Sequence, residues 1–368
     1  MGKVIFMLNA SIVDRLKKIL ITIPHPSFHG GVGHIFRVLR LNEIRGIEYF
    51  HNTKQSKSGS IRFLVSMCTH FVRRIRHVDI VHLNPSLDLK ATVRDGLLLF
   101  IAKLMQKKVI IFIHGWDDAF EKTIYSSYVL RKIFSWLFSK ADCFLLLGKI
   151  FHDKLLRLGV KCKMVKFVPT VADNSYAPDR EDEKSGRSFN LLFIAGFVHG
   201  KGMDIVLRSF EQLKRSSNGV SFELTMAGDG PELESWKQFV SDKNIPDVSF
   251  KGHVTGLEKH NCFLNADVLF FPSYYAEGLP CVIMEAMLYG LPVVTRPIGG
   301  IPDWVKHNIN GWVSESKDPD VFAEGILSLV REPNLLASMK HANLKIASEN
   351  FTPDKLREKI TQAYSSID

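Results

Sequence analysis

Two glutamates, Glu277 and Glu285, stand in an almost uncharged run, YAEGLPCVIMEAMLYGLPVVTRPIGGIP, from Tyr275 to Pro302. Between Gly278 and Thr295, Glu285 is the only charged residue. A carboxylate in such apolar company is costly to desolvate unless strong donors meet it. Pro280 stands where the first residue of a helix would, its missing N–H unneeded and its φ preset. That helix is expected to run to about Tyr289 and stop at Gly290, with Leu291 to Thr295 as a buried strand. Gly278 and Leu279 then offer amides at the positive end of a helix dipole, which favours a phosphate. Glu277 at that mouth would repel an anion and is expected to face a neutral group. Glu285, about two turns inside, can accept hydrogen bonds from hydroxyls. A diphosphate joined to vicinal hydroxyls is a nucleotide sugar. The alternative is structural: Glu277 caps the helix, and Glu285 pairs with a buried lysine or arginine.

Other candidates stand at the ends of apolar strands. Leu191 to Ile194 leads into AGFVHGKGMDIVLRSF, where Lys201 and Gly202 precede a helical stretch from Met203 to Phe210. A lysine at a helix start competes with the dipole unless an anion neutralises it. In MAGDGP, Met226 to Pro231, Gly228 and Gly230 flank Asp229 and allow a close backbone approach to a ligand. Ile110 to Ile113 ends in His114-Gly115-Trp116-Asp117. A histidine at the carboxyl end of a parallel strand points into the ligand crevice of a doubly wound sheet; a core histidine is the alternative. The spacing of Gly30 to Gly33 lacks the G-x-G-x-x-G of a dinucleotide fold, which argues against an NAD oxidoreductase.

The elements that must position these residues alternate. Lys18 to Ile23 reads as a strand, followed by a Gly30-Gly31-Val32-Gly33 turn that opens a helix through Arg40. Val78 to Leu83, Lys108 to Ile113 and Cys143 to Leu147 are further strands, each preceded by a helical segment. Polarity rises abruptly at Asp173 to Ser188, and a second series follows: Asn190 to Ala195, Ser221 to Ala227, Val248 to Lys251, Val268 to Pro272 and Leu291 to Thr295. Alternating helices and short apolar strands predict an α/β chain with two doubly wound, Rossmann-like domains facing across a cleft. The boundaries are set at 1–172, a linker at 173–188, a second domain at 189–350, and a terminal segment at 351–368 whose helix begins at Pro353 and Asp354.

At 368 residues the chain exceeds one ordinary domain, and 46% apolar with 23% charged residues is the composition of a globular protein. No apolar run reaches the length of a membrane span, and the N-terminus lacks the pattern of a cleaved signal, so a cytoplasmic location is expected. Five scattered cysteines without C-x-x-C spacing support neither a metal site nor a disulfide framework. No metal triad is evident along the chain, so no metal is expected. The net charge of +10 calls for a partner. Two segments mix basic and apolar residues: Ile61 to His77, with Arg62, Arg73, Arg74 and Arg76, and Arg131 to Lys140, with Phe134, Trp136 and Phe138. Either can lie on an anionic membrane surface or be a helix with one core face and one solvated face. No nucleic-acid module accompanies the charge.

The E-x7-E spacing of Glu277 and Glu285, the E-G-x-P start and the later G-G-I-P resemble retaining glycosyltransferases of the GT-B fold, the family-four type. The resemblance extends over nearly the whole chain and implies a set of roles. Glu277 lies by the donor sugar and Glu285 binds the nucleotide ribose. Lys201 binds the donor diphosphate, with Gly278, Leu279 and Pro280 beside it. Gly31 approaches the sugar and diphosphate, His114 contacts the transferred sugar, and Gly228 and Gly252 lie by the nucleotide. His34 and His82 are acceptor-side candidates, and the terminal helix packs back near the N-terminal domain. The family's G-R-L is replaced by Ala195-Gly196, so the usual phosphate-binding arginine is absent, with Arg296 the nearest candidate to supply that charge. Its V-I-P-N-G-V-D element reads FVPTVAD here, from Phe167 to Asp173.

The expected activity is therefore transfer of a sugar from a nucleotide diphosphate sugar to a hydroxyl of a sugar or lipid-linked acceptor, with no separate cofactor and with peripheral contact to the inner face of a membrane. A nucleotide-sugar epimerase of the same architecture and a degenerate donor-binding subunit are the alternatives.

Overall fold

The structure is a computed structural model that describes residues 17–27, 31–53, 61–175, 188–216, 219–275 and 278–367. Glu277 and most of the polar linker lie outside these residues. In the N-terminal half, strands β1 (Ile19–Ile23), β2 (Ile47–His51), β3 (Ile80–Leu83), β4 (Ser86–Leu87), β5 (Lys108–Ile113), β6 (Gly115–Trp116), β7 (Cys143–Leu146) and β8 (Val165–Phe167) alternate with helices. The helices are α1 (Gly31–Leu39), α2 (Ile61–Ile75), α3 (Leu89–Leu104), α4 (Asp118–Ser126), α5 (Tyr128–Phe138) and α6 (Lys149–Arg157). Among the described residues, six strands form one parallel sheet in the order β2-β1-β3-β5-β7-β8, and β4 pairs with β6 apart from it. β1, β3 and β7 are buried along their whole length, as a parallel sheet covered on both faces requires.

The C-terminal half repeats the plan. Strands β9 (Phe189–Ile194), β10 (Phe222–Ala227), β11 (Val248–Gly252), β12 (Val268–Phe271), β13 (Val293–Thr295) and β14 (Gly311–Val313) are ordered β11-β10-β9-β12-β13-β14. Their helices are α7 (Met203–Arg215), α8 (Leu233–Asp242), α9 (Gly256–Asn265), α10 (Cys281–Leu288), α11 (Ile301–Trp304), α12 (Pro319–Arg331) and α13 (Pro333–Asn350). Strand order reverses at β1/β3 in one sheet and at β9/β12 in the other, the points where such sheets open a crevice.

The strands not expected from the sequence are β2, β4, β6, β8 and β14. β2 is an edge strand, IEYFH, in which only Ile47 and Phe50 are buried, and β14 is a three-residue GWV, so neither carries the continuous apolar run of a central strand. Pro280 is also displaced from its expected place. It is the N-cap, with ψ of 123°, and α10 begins one residue later. Gly290, at φ +70°, ends that helix in the left-handed conformation open to glycine.

Helix α14 (Pro353–Ser365) returns to the N-terminal half. The Tyr364 hydroxyl lies 2.7 Å from His82 Nδ1, and Arg357 Nε donates to the Leu39 carbonyl at 2.5 Å. One apolar core runs from the N-terminal sheet through Leu147, Leu279 and Ile301 to Ile360 and Tyr364; a second, around Phe193, Phe210 and Phe270, fills the far face of the C-terminal sheet.

Candidate active site

A cleft of about 1230 Å³ opens between the two sheets, lined from both halves. Helices begin around it. Gly31 starts α1, Lys201 precedes α7, Thr255 and Gly256 start α9, and Pro280 and Cys281 start α10; all of these line the cleft. The N-cap residues of α7, α9 and α10, which are Gly202, Thr255 and Pro280, make no side-chain hydrogen bond to the first turn. Their leading amides therefore retain donor capacity, and their dipoles sum toward one region of positive potential.

Glu285, on α10, is 3% exposed. The Lys259 ammonium, from α9, lies 2.8 Å from Oε1 in hydrogen-bond geometry. It is 2.6 Å from Oε2, at an angle that adds charge attraction but leaves that oxygen without a hydrogen bond. The structural alternative, pairing with a lysine, is thus present in the fold. The second oxygen retains acceptor capacity. His34 Nε2, from α1 across the cleft, is 4.0 Å from Oε1. Burial lowers the His34 pKa below 6.5, and Glu285 opposes that shift. Lys259 was not singled out in the sequence, where a lone lysine in a helix reads as a solvated one. The thiol of Cys281 contacts Thr170 Oγ1 at 3.1 Å, and burial pushes its pKa up to about 11.

On the N-terminal side, Asn84 fixes His114. Asn84 Nδ2 donates to the Thr22 carbonyl at 2.8 Å, which leaves Oδ1 to accept from His114 Nε2 at 2.9 Å. His114 Nε2 therefore carries the proton. Nδ1 is a bare acceptor, shielded and without a partner. Burial and the neighbouring His82 lower the His114 pKa to about 3, so the ring is neutral near pH 7. His82 is not on the cleft: it is fully buried and bonded to Tyr364, which corrects its assignment as an acceptor-side residue.

Glycines set how closely the backbones approach. A Cβ on Gly278 would lie 2.2 Å from the His114 carbonyl oxygen, so this position joins the two halves. Nearby, the Lys149 amide at the start of α6 donates to Asp303 Oδ2 at 2.5 Å, so the C-terminal half caps an N-terminal helix. Gly228, at φ +141°, admits the Ala195 carbonyl, which would stand 1.8 Å from a Cβ. Its freedom serves packing inside one domain as well as access to the cleft. Gly252 is not among the cleft residues: its carbonyl accepts from the Gly228 amide at 2.6 Å, and His253 and Val254 take its place on the wall. Arg296 does not replace the absent arginine, since Nε and NH2 donate to the Ser316 and Glu315 carbonyls at 2.8 and 2.7 Å. Lys201 does reach the cleft, with its ammonium 4.5 Å from the Tyr275 ring centre. Among the described residues no group of three or more His, Cys, Asp or Glu could hold a metal ion.

Residues 177–345 match the family model described as glycosyl transferases group 1. That stretch contains Lys201, Gly228, Lys259, Gly278 and Glu285. The amylovoran biosynthesis glycosyltransferase AmsK of Erwinia amylovora is 25% identical over 254 residues, which cover 67% of this chain and 61% of AmsK. The GDP-mannose-dependent alpha-(1-6)-phosphatidylinositol monomannoside mannosyltransferase of Mycobacterium tuberculosis is 26% identical over 206 residues, about half of each chain. The crystal structure of Anabaena Alr3699/HepE in complex with UDP and glucose superposes with a TM-score of 0.73 at 18% identity, over 95% of this chain and 100% of that one. The fold is GT-B: two α/β domains with parallel sheets, as the resemblance implied.

Proposed function

We propose that this protein is a retaining glycosyltransferase that moves a sugar from a nucleotide diphosphate sugar to a hydroxyl of a sugar or lipid-linked acceptor, in polysaccharide or glycolipid biosynthesis. The reading is carried by the meeting of uncapped helix N-termini, Lys201 and the buried Glu285 at one interdomain cleft. The donor side belongs to residues 189–350 and the acceptor side to residues 1–172. The diphosphate lies between Lys201 and the Gly278 and Leu279 amides, ahead of Pro280 and opposite the start of α1 at Gly31. Glu285, held by Lys259, accepts from the ribose hydroxyls, and the base lies by Gly228 and the turn that follows Gly252. His114 bounds the sugar with a neutral ring, and Glu277 orients the sugar or steadies its developing positive charge.

In the transfer step the bond from the anomeric carbon to the phosphate oxygen breaks, and the acceptor oxygen bonds that carbon on the same face. The acceptor's proton passes to the leaving phosphate oxygen. Lys201 and the helix N-termini stabilise the charge that develops there without a metal ion. The test is product analysis with a panel of nucleotide sugars and acceptors in excess chelator. Retention in the product's anomeric proton coupling is expected; inversion, or dependence on added metal, overturns the mechanism. The missing arginine at the Ala195-Gly196 position favours a second reading, a donor-binding subunit that needs a partner. Donor hydrolysis by the purified chain counts against it.

A further inference from the structure

The two basic, apolar segments have opposite fates in the fold. In α2, Met67, Phe71 and Ile75 are buried and Arg62, Arg73 and Arg74 are exposed, an ordinary core-facing helix. In α5 only Phe134 and Phe138 are buried; Tyr128, Val129, Ile133 and Trp136 are all more than half exposed. The neighbouring α3 does the same, with Leu89, Val93 and Leu104 at 62%, 58% and 67%. The two faces are continuous. Gly96 of α3 seats Leu137 of α5, and the Phe100 and Trp136 rings lie 6.1 Å apart. So extended an apolar face on a surface marks a partner.

The charge on this face chooses the partner. From Lys122 to Ala141 there is no acidic residue, and Asp95 of α3 is buried against Arg94 at 2.7 Å. Arg131, Lys132 and Lys140 lie over the rings of Tyr125, Tyr128 and Trp136, at 5.4, 5.4 and 4.3 Å. Aromatic rings with cations beside them suit the boundary between headgroups and acyl chains, where the ring enters and the cation meets phosphate. A second copy of the same face would set these cations against one another, with only Asp88, which caps α3, to offset them. We propose that the α3–α5 face seats the protein on an anionic lipid bilayer. Leu89 follows the cleft residue Ser86 by three positions, so one end of the seated face adjoins the cleft. Among the described residues no helix is long and apolar enough to cross a membrane, so this attachment is peripheral.

The test is flotation of the full chain with phosphatidylcholine vesicles, with or without phosphatidylglycerol. It does not depend on glycosyl transfer, so it stands or falls apart from the function proposed above. Flotation is expected only with the anionic lipid. R131E/K132E should weaken partition more than about tenfold, because each basic side chain at such a surface contributes several-fold. Ile133→Glu should do so by removing an inserted side chain. R73E/R76E makes the same change in net charge at the C-terminal end of α2 and should leave partition within a few-fold. Brominated acyl chains should quench tryptophan emission, and Trp136→Phe should abolish that quenching. Equal loss from both charge-reversed pairs, binding to phosphatidylcholine alone, unquenched emission, or a dimer by light scattering that Ile133→Glu dissolves would each overturn the proposal.

Discussion

On the C-terminal side of the cleft, the polar groups come largely from backbone: the N-termini of α7, α9 and α10, with Glu285 and Lys259 between them. On the N-terminal side they come from side chains, and beside Arg37 and Asp173 its inner part is held neutral, His114 against Asn84, with the buried His82 and Tyr364 behind. A backbone wall needs particular φ values and close approaches, so it demands glycine and proline at fixed positions. A wall of neutral side chains needs only hydrogen-bond partners brought together by the sheet, and these come from distant parts of the chain.

Glycine replacements should separate the walls most sharply. Gly228→Ala forces a Cβ to 1.8 Å from a carbonyl of its own domain at φ +141°. Its stability should fall by more than about 4 kcal/mol, or the domain should fail to fold. Gly278→Ala places a Cβ 2.2 Å from the His114 oxygen, but the two backbones belong to different domains, which can part. Its loss in thermal or urea unfolding should be about 2 kcal/mol, with a larger radius of gyration by X-ray scattering. Equal losses would mean that the interface is as rigid as the domain interior.

This contrast also explains what could be read from the chain. The glycines, Pro280, Lys201 and the Glu277–Glu285 spacing are local features, and the family match covers the same half, residues 177–345. The partner of Glu285 was legible only as a class: a buried carboxylate needs a cation, but nothing along the chain singled out Lys259. The pairs Asn84 with His114 and His82 with Tyr364 are 30 and 282 positions apart, and no spacing rule links them. Exposure was equally hidden. α2 and α5 have similar composition, and only packing decides which one turns its apolar residues outward.

The Glu285–Lys259 pair should behave as the charged centre of the backbone wall. Lys259→Met leaves a carboxylate that is 3% exposed without its cation and should cost about 3 kcal/mol. Glu285→Gln should cost less, because the lysine side chain is 27% exposed and can turn to water. Calorimetry with UDP and GDP checks the proposed ribose contact: Glu285→Ala should weaken whichever nucleotide binds by at least about tenfold, the effect of about 1.4 kcal/mol. Unchanged affinity would return Glu285 to a purely structural role.

The neutral wall should respond to acid. Burial holds His82 at a pKa of about 3, against 6.5 for the exposed side chain. Above pH 6.5 neither the folded nor the unfolded form is protonated, and His82 adds no pH dependence. Below it the unfolded chain takes up a proton that the folded one does not, so stability is lost as pH falls from 6.5 toward 3. The slope approaches about 1.4 kcal/mol per pH unit, or about 2 kcal/mol lost by pH 5, from this ring alone. His114 acts in the same direction. Urea titrations at pH 7 and pH 5 measure the difference, and His82→Leu should reduce it.

The smallest effect tests whether α14 is held to the N-terminal wall by hydrogen bonding or by packing. Tyr364→Phe keeps the ring, which is buried in the core, and removes only the hydroxyl, 2.7 Å from His82 Nδ1. His82 Nε2 already lacks a partner, so the variant leaves both ring nitrogens unsatisfied in a buried site, at a cost of about 1.5 kcal/mol. Adding His82→Leu removes the stranded nitrogens, and replacing both partners by apolar groups of similar shape is close to neutral. The double variant should therefore recover most of what Tyr364→Phe loses in urea unfolding. If it instead falls below the single variant, the His82 ring contributes packing against Phe36 and Phe112 that outweighs its hydrogen bond.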